Sequence, residues 1–173
     1  MSIRHLLFIP ALLLTTAALA QDTTRSARAN LMNAQGMQIG TAAITPAGTG
    51  VRIELNVSQL PPGTHAVHIH AVGKCEGPAF ISAGGHLNPD MKMHGKDNPQ
   101  GAHAGDLLNF EVDSSGRART TVTADHVTLG DGPNSLFHAG GTALMIHEMP
   151  DDYRTDPTGN AGARIACGVI EKQ

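Results

Sequence analysis

Alternation of apolar and polar residues with a period of two is the strongest pattern along the chain. Residues 51–57 place Val, Ile, Leu and Val on either side of Arg, Glu and Asn, and residues 108–112 and 118–124 repeat this alternation. Successive side chains of a strand point to opposite faces, so the pattern predicts half-buried antiparallel strands. The sequence Asp-Ser-Ser-Gly at residues 113–116 predicts a hairpin turn between the last two of these strands.

Other parts of the chain extend this picture. Residues 29–33 and 37–44 are further candidate strands, and the apolar run at residues 143–146 is typical of a buried strand. No segment has a helical period over three turns, which favours an all-β sandwich or barrel. Two long segments, residues 72–104 and 148–163, lack a clear period, and the first carries three of the ten histidines. Loops of this length are usually functional or disordered, and the histidines of the first segment favour function.

The first residues are typical of a targeting segment rather than of a folded core. Arg4 and His5 precede an apolar stretch that ends in Ala-Leu-Ala at residues 18–20, the pattern of a cleavage site. The stretch is too short for a comfortable membrane span, so we expect no membrane anchor. These features predict a signal peptide at residues 1–20 and one exported domain at residues 21–173.

Charge excludes nucleic acid as a partner. Without Arg4 the chain has 11 basic and 15 acidic residues, a formal net charge of −4, and it contains no extended basic run. Aromatic residues are scarce, so the core must be built mainly from Val, Ile, Leu, Ala and Met.

The two cysteines, Cys75 and Cys167, both lie in the expected exported domain. In an oxidising compartment such a pair favours one disulfide. Closing a loop of about ninety residues would stabilise the fold by about 4–5 kcal/mol in the chain-entropy model. The residues alone leave two alternatives, separate buried thiols or a shared metal site, although no Cys-x-x-Cys spacing supports the latter.

His68 and His70 are the first candidate metal ligands. Residues two apart in a strand point to the same face, so both imidazoles project together. Such a pair can form adjacent corners of the tetragonal site that copper(II) prefers with nitrogen donors. Taken alone, however, a His-x-His pair is more often surface decoration or satisfied polar packing.

A second group of candidate ligands lies in the longer loop. His94 and His103, Asp106 three residues later, and His86 offer three nitrogens and one carboxylate oxygen, which would make a closed tetrahedral zinc site. Metal binding would supply the free energy that orders a loop without regular structure. The alternative is a polar loop that is merely rich in histidine.

His147 follows the apolar run at residues 143–146. A histidine there is usually a core residue, but His68 and His70 need further nitrogens, so we interpret His147 as a copper ligand. The seven side chains suffice for two metal ions that share one imidazole. His65, His126 and His138 are interpreted as structural, because His65 points away from His68 and the other two lack partners at ligand spacing.

These residues stand in motifs that resemble a known family. The strings HAVHIH, SAGGHLNP, MHGK, HAGDLLN, MIHE and GNAGARIACGV, in this order, are similar to those of the exported bacterial branch of the copper/zinc superoxide dismutases. The resemblance covers about residues 29–170. It implies an all-β fold, a Greek-key β-sandwich or flattened eight-stranded antiparallel barrel with two long functional loops.

The resemblance also implies a role for each candidate ligand, with one copper ion and one zinc ion per subunit. His86 would be the imidazolate that bridges the two ions. Asp151 would accept hydrogen bonds from one ligand of each metal, and Arg164 would be the cationic residue at the mouth of the copper channel. The implied ligands are His68, His70, His86 and His147 for copper, and His86, His94, His103 and Asp106 for zinc.

Three further points follow from the same resemblance. It pairs Cys75 with Cys167 in the family disulfide. Residues 151–156 lack the charge arrangement of the eukaryotic guiding loop, so the details of substrate steering are not implied. Relatives of this branch occur as monomers and as dimers, which leaves a homodimer open.

The implied activity is the disproportionation of superoxide to dioxygen and hydrogen peroxide in the periplasm, as an antioxidant defence. His86 would carry a proton and Arg164 would attract the anion. A copper-storage protein is the main alternative, but storage needs neither the guiding arginine nor an open copper face. A zinc hydrolase would need an open zinc position, whereas the expected zinc shell is closed.

Overall fold

The computed structural model describes residues 25–173. The expected signal peptide at residues 1–20, with its cleavage site, lies outside the described residues. In residues 25–173 the only helical segment is a 3-10 turn at Ile81–Ala83. No helix in this part of the chain is long and apolar enough to cross a membrane.

Nine strands within residues 25–173 carry the fold. Each segment predicted as a strand overlaps one of them, whereas the strands at residues 63–65 and 164–172 had no predicted counterpart. The hairpin predicted at residues 113–116 is present, since the N–H of Asp113 donates to the carbonyl of Arg117 at 2.8 Å. No strand lies at residues 71–109 or 148–163, which agrees with the two predicted loops. The strands are β1 (Ala27–Asn33), β2 (Gln38–Ala47), β3 (Gly50–Val57), β4 (Gly63–His65), β5 (Val67–His70), β6 (Phe110–Val112), β7 (Ala118–Ala124), β8 (Ala143–His147) and β9 (Arg164–Lys172).

The strands form one large and one small antiparallel sheet. The large sheet has the order β5-β8-β9-β1-β2-β3-β7, and β4 pairs with β6. Only Ala66 separates β4 from β5, and the hairpin between β6 and β7 joins the two sheets again at the other edge. If β4 and β5 are counted as one interrupted strand, eight extended segments form a flattened barrel. The predicted all-β antiparallel architecture is therefore confirmed.

The core lies between the inner faces of these strands. Val51, Ile53, Leu55 and Val57 are at most 2% exposed, while the residues between them are exposed. Burying each such side chain stabilises the fold by about 1.5–3 kcal/mol. Aliphatic residues can therefore stabilise a core that contains few aromatic side chains.

The expectation that Leu108 begins an alternating strand is wrong. Leu108 is 51% exposed, and β6 begins only at Phe110. The intervening Asn109 is turned towards a loop, where its side-chain amide bonds to the backbone of Asp151. A long-range contact therefore overrides the local alternation.

Strand β5 lies at one edge of the large sheet, and the long loop covers its open side. The backbone of Ile69 accepts from Leu87 at 2.8 Å and donates to Gly105 at 2.9 Å. A Cβ on Gly105 would lie 2.2 Å from the carbonyl oxygen of Ile69, so only glycine permits this approach. The contact places Asp106 beside His68 and His86 beside His70.

Candidate metal centre

Four buried histidines converge at the edge of the large sheet. β5 supplies two of them, β8 supplies one, and the covering loop supplies the fourth, a few residues after the 3-10 turn. One ring nitrogen from each lies within 4.8 Å of the others. This first group consists of His68, His70, His86 and His147.

The outer ring nitrogens of this group are fixed by hydrogen bonds, whereas the inner ones have none. His68 donates from Nε2 to Asp151 at 2.7 Å, and His70 donates from Nδ1 to the carbonyl of Gly84 at 2.9 Å. The remaining nitrogens are buried and have no hydrogen-bond partner; they are His68 Nδ1, His70 Nε2, His86 Nε2 and His147 Nε2. Buried polar atoms are rarely left without partners, so a convergent set of lone pairs fits a metal ion with nitrogen ligands.

Three of these imidazoles are neutral at physiological pH even without a metal. Burial, together with nearby charges, lowers the pKa of His70 to about 2 and that of His147 to about 3. Burial also lowers the pKa of His86 to about 4, although its hydrogen bond to Asp106 acts in the opposite direction. A metal binds the neutral form of histidine, so these side chains need not lose a proton first.

Asp106 is the centre of a second group, which also contains His86. Its Oδ1 lies 2.9 Å from Nδ1 of His86, 3.1 Å from Nδ1 of His94 and 3.1 Å from Nδ1 of His103. The Nδ1 atoms of His86 and His103 are 3.3 Å apart. Ligands about 2 Å from a tetrahedral zinc ion would be separated by about 3.3 Å, so the second group fits zinc.

The loop backbone fixes the orientation of Asp106. Its Oδ2 accepts the N–H of Gly95 at 2.8 Å and the N–H of His103 at 3.0 Å. Burial raises the pKa of Asp106, but hydrogen bonds from His103, His86 and His94 outweigh it and lower the pKa far below its usual range. The carboxylate is therefore ionised, as a metal ligand must be.

Asp151 links the two groups, because it accepts a hydrogen bond from one histidine of each. Its Oδ2 accepts from His68 at 2.7 Å and its Oδ1 accepts from His94 at 2.9 Å. Burial raises the pKa of Asp151, but these two hydrogen bonds lower it well below the usual value. Such a carboxylate fixes the tautomer and ring orientation of one histidine in each group.

Arg164 lies next to the first group. Its guanidinium donates to the carbonyl of Phe80 at 2.8 Å and to that of Gly84 at 2.7 Å. Gly84 is also the acceptor for His70, so a single carbonyl oxygen links the arginine to this histidine. A register shift between β8 and β9 places Arg164 opposite His147. Bulges of this kind commonly re-aim a side chain at an active site.

A disulfide joins Cys75 to Cys167, with the Cα atoms 5.6 Å apart. It connects the start of the long loop to β9, three residues after Arg164. Phe80 and Ala83 pack against the bond in a small second core. The bond and this core therefore position the segment whose carbonyls accept from Arg164.

Three hydrogen-bonding contacts near the centre were not predicted from the sequence. Asp156 Oδ1 accepts the N–H of His94 at 2.6 Å, and the side-chain amide of Asn109 bonds to both the N–H and the carbonyl of Asp151. His65, interpreted as structural, is buried, and its Nδ1 donates to the carbonyl of His147 at 2.8 Å. None of these contacts has a local sequence signal, because each partner lies more than forty residues away.

The charge on His94 leads to a pH prediction. Burial lowers the pKa of His94, but hydrogen bonds to Asp106 and Asp151 outweigh it and raise the pKa to about 9. Zinc would displace this proton, so we expect zinc affinity to rise about tenfold per pH unit up to pH 9. Calorimetric titration of the metal-free protein in buffers of different ionisation enthalpy would count the released proton.

The stability of the metal-free fold should change with pH in the opposite direction to the zinc affinity. Because the pKa of His94 is raised by folding, the contribution of its charged pair is complete below about pH 6.5 and is lost as the pH rises through about 9. In Asp151→Asn, which removes one of the two carboxylates, the pH-dependent range should move to lower pH. A zinc affinity that does not change between pH 7 and 9 would contradict this account.

Fold and centre together define a class of protein. An antiparallel β-barrel carries one group of four nitrogens, which suits copper, and one group of three nitrogens and an oxygen, which suits zinc. His86 belongs to both groups. This is the arrangement of a binuclear copper–zinc protein.

Comparison with known proteins gives the family. Residues 38–170 match the profile of copper/zinc superoxide dismutase (SODC). The chain is 51% identical to a copper/zinc superoxide dismutase of Aquifex aeolicus over 162 residues, 92% of this chain and 94% of that protein.

Two solved structures that resemble this chain belong to the same family or are described as similar to it. A superoxide dismutase-like protein from Bacillus subtilis has a TM-score of 0.80 at 39% identity, over 82% of this chain and 96% of that chain. The copper/zinc superoxide dismutase from Brucella abortus has a TM-score of 0.70 at 32% identity, over 84% of this chain and 99% of that chain. The chain belongs to the copper/zinc superoxide dismutase family, an enzyme family that disproportionates superoxide with copper and zinc as cofactors.

Proposed function

We propose that the two groups are the copper and zinc sites and that His86 bridges them. The observation that carries this assignment is the set of four buried inner nitrogens without partners, one of them on His86. The Nδ1 of His86 faces Asp106 at the same time, so its two ring nitrogens serve different groups. The assigned ligands are His68, His70, His86 and His147 for copper, and His86, His94, His103 and Asp106 for zinc.

Each part of the reaction then has a group that performs it. Bound copper supplies the alternating one-electron reduction and oxidation by which two superoxide anions and two protons become dioxygen and hydrogen peroxide. Nε2 of His86 would take up one of the two protons in the reduced half of the cycle and donate it to the forming peroxide, and solvent would supply the other proton. Arg164 attracts the anion and orients it beside His70 and His147.

The position of Arg164 supports enzymatic turnover over copper storage. Burial lowers the pKa of Arg164, but guanidinium groups stay charged throughout the physiological range, so the residue is a cation beside the first group. In a chain with a negative net charge, a local cation focuses an anionic substrate on the site. A storage site would gain nothing from it.

Removing this cation tests the proposal. In Arg164→Ile we expect superoxide disproportionation to fall at least about tenfold, because electrostatic focusing can raise on-rates by roughly 10–10³. Copper content and the copper EPR spectrum should stay close to those of the wild type. Pulse-radiolysis rates at several ionic strengths would measure the loss, which should be greatest at low salt.

Two further variants separate charge from local structure. Arg164→Lys retains the cation but not both carbonyl contacts, so it should recover part of the rate. Arg154→Ile removes an exposed arginine from the loop that precedes β9 and should change the rate little. An unchanged rate in Arg164→Ile would show that this residue does not guide the substrate.

We further propose that residues 21–173 form the exported enzyme and that residues 1–20 are removed during export to the periplasm. The disulfide supports an oxidising compartment. The enzyme can act as a monomer or as a homodimer, since every proposed ligand comes from one chain.

A further inference from the structure

Tyr153, the only tyrosine of the chain, lies two residues after Asp151 and belongs to neither group of candidate ligands. Its backbone is left-handed, with φ of 62°, a conformation that residues other than glycine adopt when surrounding contacts impose it. Each of its polar groups forms a hydrogen bond. Its N–H donates to Oδ1 of Asp151 at 2.6 Å, and its carbonyl accepts from Asp97 at 3.1 Å.

The phenol oxygen of Tyr153 connects it to Asn109. This oxygen accepts the backbone N–H of Asn109 at 2.8 Å. The side chain of Asn109 in turn binds the backbone of Asp151 at two points, accepting its N–H at 2.9 Å and donating to its carbonyl at 3.0 Å. Tyr153, Asn109 and Asp151 thus form a closed ring of hydrogen bonds, in which the tyrosine also bonds directly to the carboxylate.

Tyr153 also packs against the loop that contains the second group. Nζ of Lys96 lies 4.3 Å from the centre of its ring. A Cβ on Gly95 would lie 2.0 Å from the carbonyl oxygen of Tyr153, so the two backbones are in close contact. Gly95 directly follows His94 and donates to Asp106, which places Tyr153 against the segment between these two residues.

We propose that Tyr153 is a positioning residue that, through Asn109, sets the orientation of the Asp151 carboxylate. Asp151 accepts hydrogen bonds from His68 and His94, so the tyrosine acts on one ligand of each proposed metal without touching either donor atom. This inference rests on the ligand assignment proposed above.

Removing only the phenol oxygen tests the inference. Tyr153→Phe keeps the ring, the backbone contacts and the packing of Lys96, but leaves the N–H of Asn109 without its acceptor. Partners that orient a ligand typically contribute 10–100-fold in metal affinity, and for a residue one step further away we expect about three- to tenfold weaker zinc binding. Competition with a chromogenic chelator would measure it.

Two spectra distinguish positioning from general stability. In Tyr153→Phe the visible bands of cobalt(II) in the zinc site and the EPR hyperfine splitting of copper should both shift, because Asp151 orients one ligand of each. Arg154→Gln, next to Tyr153 and exposed, is the control and should shift neither. A lower melting temperature with both spectra unchanged would overturn the proposal.

A double-variant cycle tests the route through Asn109. If Tyr153 acts through this residue, Tyr153→Phe should have no further effect on zinc affinity in the Asn109→Ala background. Additive effects would overturn the proposal.

The wild-type spectra distinguish a failure of this proposal from a failure of the ligand assignment. If the wild-type protein gives neither the cobalt(II) bands nor the copper EPR spectrum, the ligand assignment fails. If it gives both spectra and Tyr153→Phe gives the same two, only the role of Tyr153 fails.

Discussion

His86→Ala is expected to reduce superoxide disproportionation by about a hundredfold or more. His86 is the only residue that belongs to both groups, and it is also the proposed proton carrier. Even partners that only orient a ligand contribute 10–100-fold in metal affinity or activity, so a shared ligand should contribute at least as much. Turnover, metal content and the copper EPR spectrum of the purified variant would be compared with those of the wild type.

The EPR spectrum is the sharper measurement in this experiment. Loss of the proposed shared imidazole would remove one ligand from each metal site. The EPR spectrum should therefore differ from that of the wild type even in molecules that retain copper. His126→Ala is a matched control, because His126 is exposed and belongs to neither group. A normal copper–zinc spectrum in His86→Ala would contradict the bridge.

Removal of the disulfide should have the largest effect on stability. Replacing Cys75 and Cys167 with alanine is expected to lower the free energy of unfolding by about 4–5 kcal/mol in the chain-entropy model, since the bond closes a loop across a separation of 92 residues. Urea unfolding of the metal-free variant and wild type, both under oxidising conditions, would measure the difference.

Reduced wild-type protein is the control for this variant. Its free energy of unfolding should match that of the alanine variant, because both lack the cross-link and differ only in two small side chains. A loss below about 1 kcal/mol would mean that native-state strain cancels the entropic gain. Arg164 should also lose part of its orientation, since the bond positions the segment that contains Phe80 and Gly84.

The sequence predicted most of the strands because their signal is local. In β3 every second residue faces the core, so alternation identified this strand almost residue for residue. The buried β8 was also recognisable, since all five of its residues are buried and its apolar run is short and continuous. Residue type and spacing likewise indicated the candidate ligands, which the structure brings together in two groups, because few patterns of histidine and aspartate suit two metals.

Contacts between distant segments could not be predicted from these signals. Leu108 continues an alternating pattern and is nevertheless exposed, because Asn109 bonds to a loop more than forty residues away. The role of Asp156 as acceptor for His94 depends on how the two loops pack. The resemblance to a known family supplied Asp151 and Arg164, which alternation and spacing alone did not identify.

The covering of β5 by the long loop has a consequence for solubility. An uncovered edge strand presents free N–H and C=O groups that can recruit strands from other molecules and start aggregation. Here Leu87 and Gly105 occupy these groups on Ile69, and both belong to the segment that contains the second group of ligands. The segment that contains the proposed zinc ligands therefore also keeps neighbouring molecules from adding to the sheet.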